Sequence, residues 1–196
     1  DKPASLYGAS KRMNELQAKV YNHIFKIPSV GLRFFTVYGP WGRPDMAPYK
    51  FTEKISNGEI ITVYNEGMMK RDFTFVGDIV KGIIASMEFR PAGFQPVNLG
   101  NTQPIALDYF ISTIEQLVGQ KAQKVFKESN VDLAITYSSN TVSKELLDWA
   151  PTVSIEKGMK MFVEWFRKTE IALLPCASEC AASRQCSTSP YDAVIA

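Results

Sequence analysis

The chain has 196 residues, 45% hydrophobic and 21% charged, with a formal net charge of +2. That is ordinary globular usage. It excludes the run of basic residues expected of a nucleic-acid binder, and no apolar stretch reaches the roughly 20 residues a membrane-spanning helix needs.

Pro3 and Ser5 mark the start of a helix over 6–24, where Leu6, Met13, Leu16, Val20 and Ile24 recur at roughly helical spacing. The opening "DKPASLYGAS" carries no charged-then-apolar leader. A turn at 26–29 leads to "VGLRFFTVY" (30–38), apolar and rich in aromatic residues, read as one buried strand. The Gly- and Pro-dense "GPWGRPDMAP" (39–48) is a loop, followed by a helix over 49–56. Next come a strand at 60–64, a turn at 65–67, a strand at 71–76 and a helix over 77–89 starting near Asp78. "PVNLG" (96–100) reads as a strand, 105–118 as a strong helix, 121–127 as a strand, and 143–149 and 154–168 as helices. Strands and helices alternate throughout, which predicts an α/β fold. From 171 the chain turns to Ala, Ser and Cys without periodicity and is expected to lack order.

Cys176, Cys180 and Cys186 fall in that tail at spacings of four and six. Zinc sites show tighter Cys-x-x-Cys pairs and a fourth ligand, so no metal is expected. His23, the single histidine, reads as a plain helix residue.

"SLYGASK" (5–11) puts Tyr7 four residues ahead of Lys11. On a helix that spacing shares a face. An ammonium beside a phenol favours the phenolate, which can serve as a general base toward a hydroxyl. The alternative is that Tyr7 packs and Lys11 is a solvated charge.

The pair precedes "GLRFFTVYGPWGRPDMAPYKF" (31–51), "ITVYNEGMMKRDFTFVGDIVKGI" (61–83) and "VNLGNTQPIALDYFISTIEQLVG" (97–119). Over about 1–168 this succession resembles the nucleotide-sugar epimerases and dehydratases of the extended short-chain dehydrogenase/reductase family. It is nearest to the members that epimerise UDP-glucuronate. The resemblance implies the C-terminal part of a Rossmann-type NAD-binding fold plus a small α/β substrate domain. By it, 1–40 are the last helix and strand of a Rossmann half. Residues 41–168 are mostly substrate domain, with returning Rossmann elements near 71–100, and 169–196 are an atypical tail. A Gly-rich turn for the cofactor pyrophosphate is expected upstream of the chain, which alone is expected to be inactive.

The implied activity is NAD-dependent epimerisation at C4 of a UDP-sugar acid, UDP-glucuronate to UDP-galacturonate. Alternatives are a nucleotide-sugar 4,6-dehydratase and a non-catalytic binding module. Tyr7 and Lys11 take the catalytic positions and, with Phe34 and Val37, adjoin the nicotinamide. Thr36 and Arg43 match positions facing the sugar and its carboxylate, and Arg71 the one holding the diphosphate. Tyr64 lies beside the uracil. Met46 offers a backbone N–H to phosphate, and Asp132 belongs to the loop closing over the nucleotide. That loop departs from the family's Pro-Gly-Asp-Val, being "SNVDLAITYSS" (129–139) here. The resemblance further implies a homodimer through the Tyr7 helix. It implies a cytoplasmic setting, or an endomembrane lumen given an upstream anchor.

Overall fold

The computed structural model describes residue 3, residues 5–128 and residues 134–173. Helix α1 (Leu6–Phe25) is capped by Ser5, whose hydroxyl accepts the Gly8 N–H at 3.0 Å, and closes at Lys26 in the left-handed region. The expected single strand over 30–38 is two. Strand β1 (Ser29–Phe34) pairs in parallel with β5 (Phe94–Leu99). Past Phe35 the chain changes partner, and β2 (Thr36–Tyr38) pairs in parallel with β4 (Lys70–Phe75). Hydrophobic periodicity registers burial, not the identity of the neighbour, so the break is silent in sequence.

Helix α2 (Ala47–Ser56) starts two residues earlier than expected, with Pro48 in its first turn where a missing N–H costs nothing. Strand β3 (Ile60–Tyr64) pairs in parallel with β7 (Gln123–Lys127). Between β3 and β4 lies a tight turn in which Asn65, Glu66 and Gly67 all have positive φ. Helix α3 (Val76–Glu88) follows β4. The helix expected over 105–118 begins as a short strand, β6 (Pro104–Ala106), antiparallel to β4, and only then becomes α4 (Leu107–Val118). Helices α5 (Thr141–Leu147) and α6 (Ile155–Leu173) complete the described chain, so residues 169–173 are helical. The rest of the expected tail, with its three cysteines, lies outside the described residues.

Two apolar cores result. The larger gathers Tyr38, Ile55, Ile61, Phe73, Phe110, Ile114, Met159 and Phe162, with the Phe73 and Phe110 rings stacked 4.3 Å apart. Each such fully buried side chain contributes about 1.5–3 kcal/mol by leaving water. The smaller core joins Ile79, Val97, Leu99, Leu147 and Trp149. The buried Asp78 carboxylate closes it, accepting the backbone N–H of Thr152 at 2.8 Å and of Val153 at 2.9 Å. It also accepts the Thr152 hydroxyl at 2.8 Å. Burial pushes the Asp78 carboxyl up, but these donors and Lys81 outweigh it, and its pKa ends below the ordinary value.

Candidate active site

Two hollows lie on either side of the point where β1 gives way to β2. The first, about 470 Å³, is bounded by α2, β3, β4 and the start of α4. Its lining includes Thr36, Met46, Lys50, Lys54, Tyr64 and Arg71. Thr36 opens β2, and Met46 is the residue before α2; its backbone N–H, expected to be offered to phosphate, donates instead to the Arg43 carbonyl at 3.2 Å. Tyr64 stands at the carboxyl end of β3, and Arg71 is in β4 opposite Ile105 of β6. The Arg71 guanidinium donates to the Lys70 carbonyl at 3.1 Å and approaches the Met69 sulfur at 3.6 Å. A hollow of this size, apolar below and cationic at the edge, suits a nucleotide-sized anion.

The second hollow is an open groove of about 550 Å³ between α1 and β1, lined by Tyr7, Lys11, Glu15, Phe34 and Phe94 among others. The Lys11 ammonium sits 5.3 Å from the Tyr7 ring centroid, so the pair shares one helix face. Tyr7 is 72% exposed, and its hydroxyl is not consumed by packing. A charged fork ties α1 to β1. Arg33 forks onto Glu15, with Nε to Oε1 at 2.6 Å and Nη2 to Oε2 at 2.7 Å. That fork is the main force holding the Glu15 carboxyl down at about 2 from its ordinary 4.5; burial opposes it and Arg12 adds to it. Glu15 lies four residues beyond Lys11, so the fork sets the register in which Tyr7 and Lys11 reach the end of β1.

The structure therefore brings Thr36, Met46, Tyr64 and Arg71 into one cavity and Tyr7, Lys11 and Phe34 into an adjacent groove. Arg43 does not line the cavity with Arg71. Its guanidinium forks onto Asp45, with Nε to Oδ1 at 2.9 Å, and Asp45 lines the cavity wall. Val37 packs against the smaller core rather than lining the groove, because β2 turns its side chain toward that core. Asp132 lies outside the described residues.

Three residues were not anticipated. Lys50 and Lys54 add two cations to the cavity edge, and their spacing of four in a helix was the available signal. Asp72, fully buried in β4, accepts backbone N–H groups from Asn101 at 2.6 Å, Thr102 at 3.1 Å and Ser138 at 2.8 Å. It fastens the 100–102 turn and residue 138 beneath Arg71. Gly100 permits this approach, since a Cβ there would lie 2.4 Å from the Ser138 hydroxyl. An acid inside a strand otherwise buried was its sequence signal. No group of His, Cys, Asp or Glu able to hold a metal occurs among the described residues. No described helix is long and apolar enough to cross a membrane.

The profile of the NAD dependent epimerase/dehydratase family matches residues 1–100. An uncharacterised protein of Methanocaldococcus jannaschii is 46% identical over 175 residues, 89% of this chain and 53% of that one. A probable UDP-glucuronate 4-epimerase of Rhizobium meliloti is 40% identical over 185 residues, 85% of this chain and 54% of that one. Among solved structures, the UDP-glucuronic acid 4-epimerase of Bacillus cereus, in complex with UDP-glucuronic acid and NAD, superposes with a TM-score of 0.81 at 31% identity. The match covers 86% of this chain and 54% of that one. The chain spans about half the length of the curated relatives it matches.

Proposed function

The chain belongs to the NAD dependent epimerase/dehydratase family, and from that premise we propose that it supplies the substrate-binding and proton-transfer part of a UDP-glucuronate 4-epimerase. The observation that carries this reading is the adjacency of the two hollows. A cavity with Arg71, Tyr64 and the α2 terminus opens beside a groove where Lys11 sits 5.3 Å over Tyr7.

In this reading Arg71 takes the diphosphate by charged hydrogen bonds, Tyr64 covers the uracil, and Thr36 meets the sugar where the cavity runs out toward β1. Tyr7, its hydroxyl exposed, takes the proton from the sugar 4-hydroxyl and later returns it. Lys11 stabilises the phenolate by charge. Tyr7, Lys11 and the half-exposed Phe34 fit the nicotinamide-ribose end of NAD, offering ammonium donors and an apolar wall. Among the described residues no strand–Gly-rich turn–helix unit is present for its pyrophosphate. When bound, NAD supplies the hydride acceptor and donor at C4. Met13, Leu16, Val20 and Ile24, exposed along α1, support a second copy of the chain as partner.

For the chain by itself a second reading, a nucleotide-binding module without turnover, is favoured by one observation: no residue of α1 is buried, so Tyr7 stands on an unsupported face. Calorimetry with UDP tests the cavity assignment common to both. Arg71→Ala is expected to weaken UDP binding by about 1.5–3 kcal/mol, the range for hydrogen bonds to charged groups. Unchanged affinity rejects it.

A further inference from the structure

Lys11 has two neighbours of opposite kind at the same spacing. Tyr7 lies four residues before it and Glu15 four residues after, and all three line the groove between α1 and β1. Residues four apart on a helix meet. Coulomb's law alone would send the ammonium to the carboxylate, a full charge, rather than to a neutral ring. The structure shows the other choice. The Lys11 ammonium sits over the Tyr7 ring, 5.3 Å from its centroid. Among the described residues Glu15 pairs with Arg33 and Arg12 but not with Lys11.

Both Glu15 oxygens are already taken. Arg33 covers Oε1 through Nε and Oε2 through Nη2, and Arg12 adds its Nη1 to Oε2. The Glu15 side chain is only 14% exposed, so this fork is shielded from the water that weakens surface pairs. Arg33 is the one charged residue of β1, and it reaches α1 from eighteen residues away in sequence. The other nearby cations are engaged elsewhere. Lys19 lies over the Phe94 ring, 5.8 Å from its centroid, and Arg43, in the loop after β2, is forked onto Asp45.

We propose that Arg33, with Arg12, is a positioning residue that withholds Glu15 from Lys11 and so leaves the ammonium to Tyr7. This rests on the reading of Tyr7 and Lys11 as the proton-transfer pair and adds the residues that keep its charge from being neutralised. Released from the fork, Glu15 turns to Lys11, the ammonium leaves the ring, and the phenolate loses its counter-charge. The role differs from mooring α1 to β1. Mooring fails equally whichever partner is removed. Withholding fails only when the arginines go and Glu15 stays.

The experiment uses the full chain as parent, as Glu15→Gln, as the pair Arg12→Met with Arg33→Met, and as the triple variant that joins all three changes. Two readouts are taken at one fixed pH. One is the NMR contact between the Lys11 methylene protons and the Tyr7 ring. The other is nitration of Tyr7 by tetranitromethane, which reads the phenolate. The contact is expected in the parent, in Glu15→Gln and in the triple variant, and is expected to be lost in the arginine pair. Nitration in the arginine pair is expected to fall about 1.4- to 2.3-fold below the triple variant, the weight of one ion pair four residues apart on a helix. Comparison with the triple variant cancels the two missing arginine charges. If the arginine pair does not fold, Arg33→Met alone, with and without Glu15→Gln, is expected to show the same loss and recovery at smaller size. A contact that persists without the arginines, is lost equally in Glu15→Gln, or does not return in the triple variant overturns the withholding role and leaves the proton-transfer reading standing. The expected contact pattern with level nitration rejects Lys11 as the support of the phenolate, and the withholding role with it. A parent chain without the contact rejects both.

Discussion

Helices α1 and α6 are nearly equal in length, 20 and 19 residues, and both carry an apolar stripe, yet they fare differently. Helix α6 buries Ile155, Met159, Phe162 and Val163 in the larger core, and Phe166 beside them. Helix α1 buries nothing; Met13, Leu16, Val20 and Ile24 are at least half exposed, and it is moored to β1 by the Arg33–Glu15 fork. An apolar stripe therefore records what a helix can cover, while burial depends on what stands opposite. The Arg71 cavity grows out of the self-supporting part, between α2, β3 and β4. The Tyr7 groove belongs to the part whose apolar surface is still open. The division is chemical as well: the part proposed to bind an anion is packed, and the part proposed to move a proton is tied down by a charged fork.

The largest way to break this comparison is to attack the packed side. Phe110→Ala removes a ring stacked on Phe73 at the centre of the larger core and is expected to cost about 3–5 kcal/mol in urea unfolding. A loss under 1 kcal/mol would mean that this core does not carry the stability assigned to it. The fork is expected to matter less and more locally. Glu15→Gln is expected to cost about 1 kcal/mol, the low edge for charged hydrogen bonds once the part-exposed Arg33 is screened. The loss is expected to appear mainly as faster amide exchange along α1.

The same fork predicts a pH dependence. The carboxyl is depressed in the folded state, so its contribution is fully present above pH 4.5 and is lost as the pH falls through about 2. Amide protection of α1 is expected to follow that window in the parent chain and to be flat in Glu15→Gln. A parent α1 indifferent to pH from 5 down to 2 would contradict the assignment. Smallest of all is Leu16→Ala on the open face of α1, expected within about 0.5 kcal/mol, as for surface changes generally. A loss of several kcal/mol would show that face to be covered in solution.

How much of this was legible in the sequence follows the same division. The alternation of elements, and the two long helices α4 and α6, could be read because local periodicity and burial agree there. Tyr7 and Lys11 were legible because a spacing of four has one meaning on a helix. The break at Phe35 was not, since both partners of the 29–38 stretch are more than thirty residues away and each leaves it apolar. The short β6 was hidden in a run that also fits a helix, and only its pairing with Lys70–Asp72 decides the matter. Arg43 was read as a free cation facing a ligand. Its fork to Asp45 belongs to a loop, where a spacing of two carries no rule and geometry must be seen. Asp72 was quoted within "KRDFT" and passed over, because its three backbone partners lie twenty-nine, thirty and sixty-six residues further on.

The central claim is the proposal that the Arg71 cavity binds a nucleotide in this chain alone while the Tyr7 groove does not hold NAD. Parallel calorimetric titrations of UDP and of NAD into the same preparation of folded chain test it most directly. The account predicts saturable UDP binding, lost on Arg71→Ala, with no NAD binding over the concentrations at which UDP saturates. NAD binding as tight as UDP, or UDP failing to bind a folded chain, would contradict it.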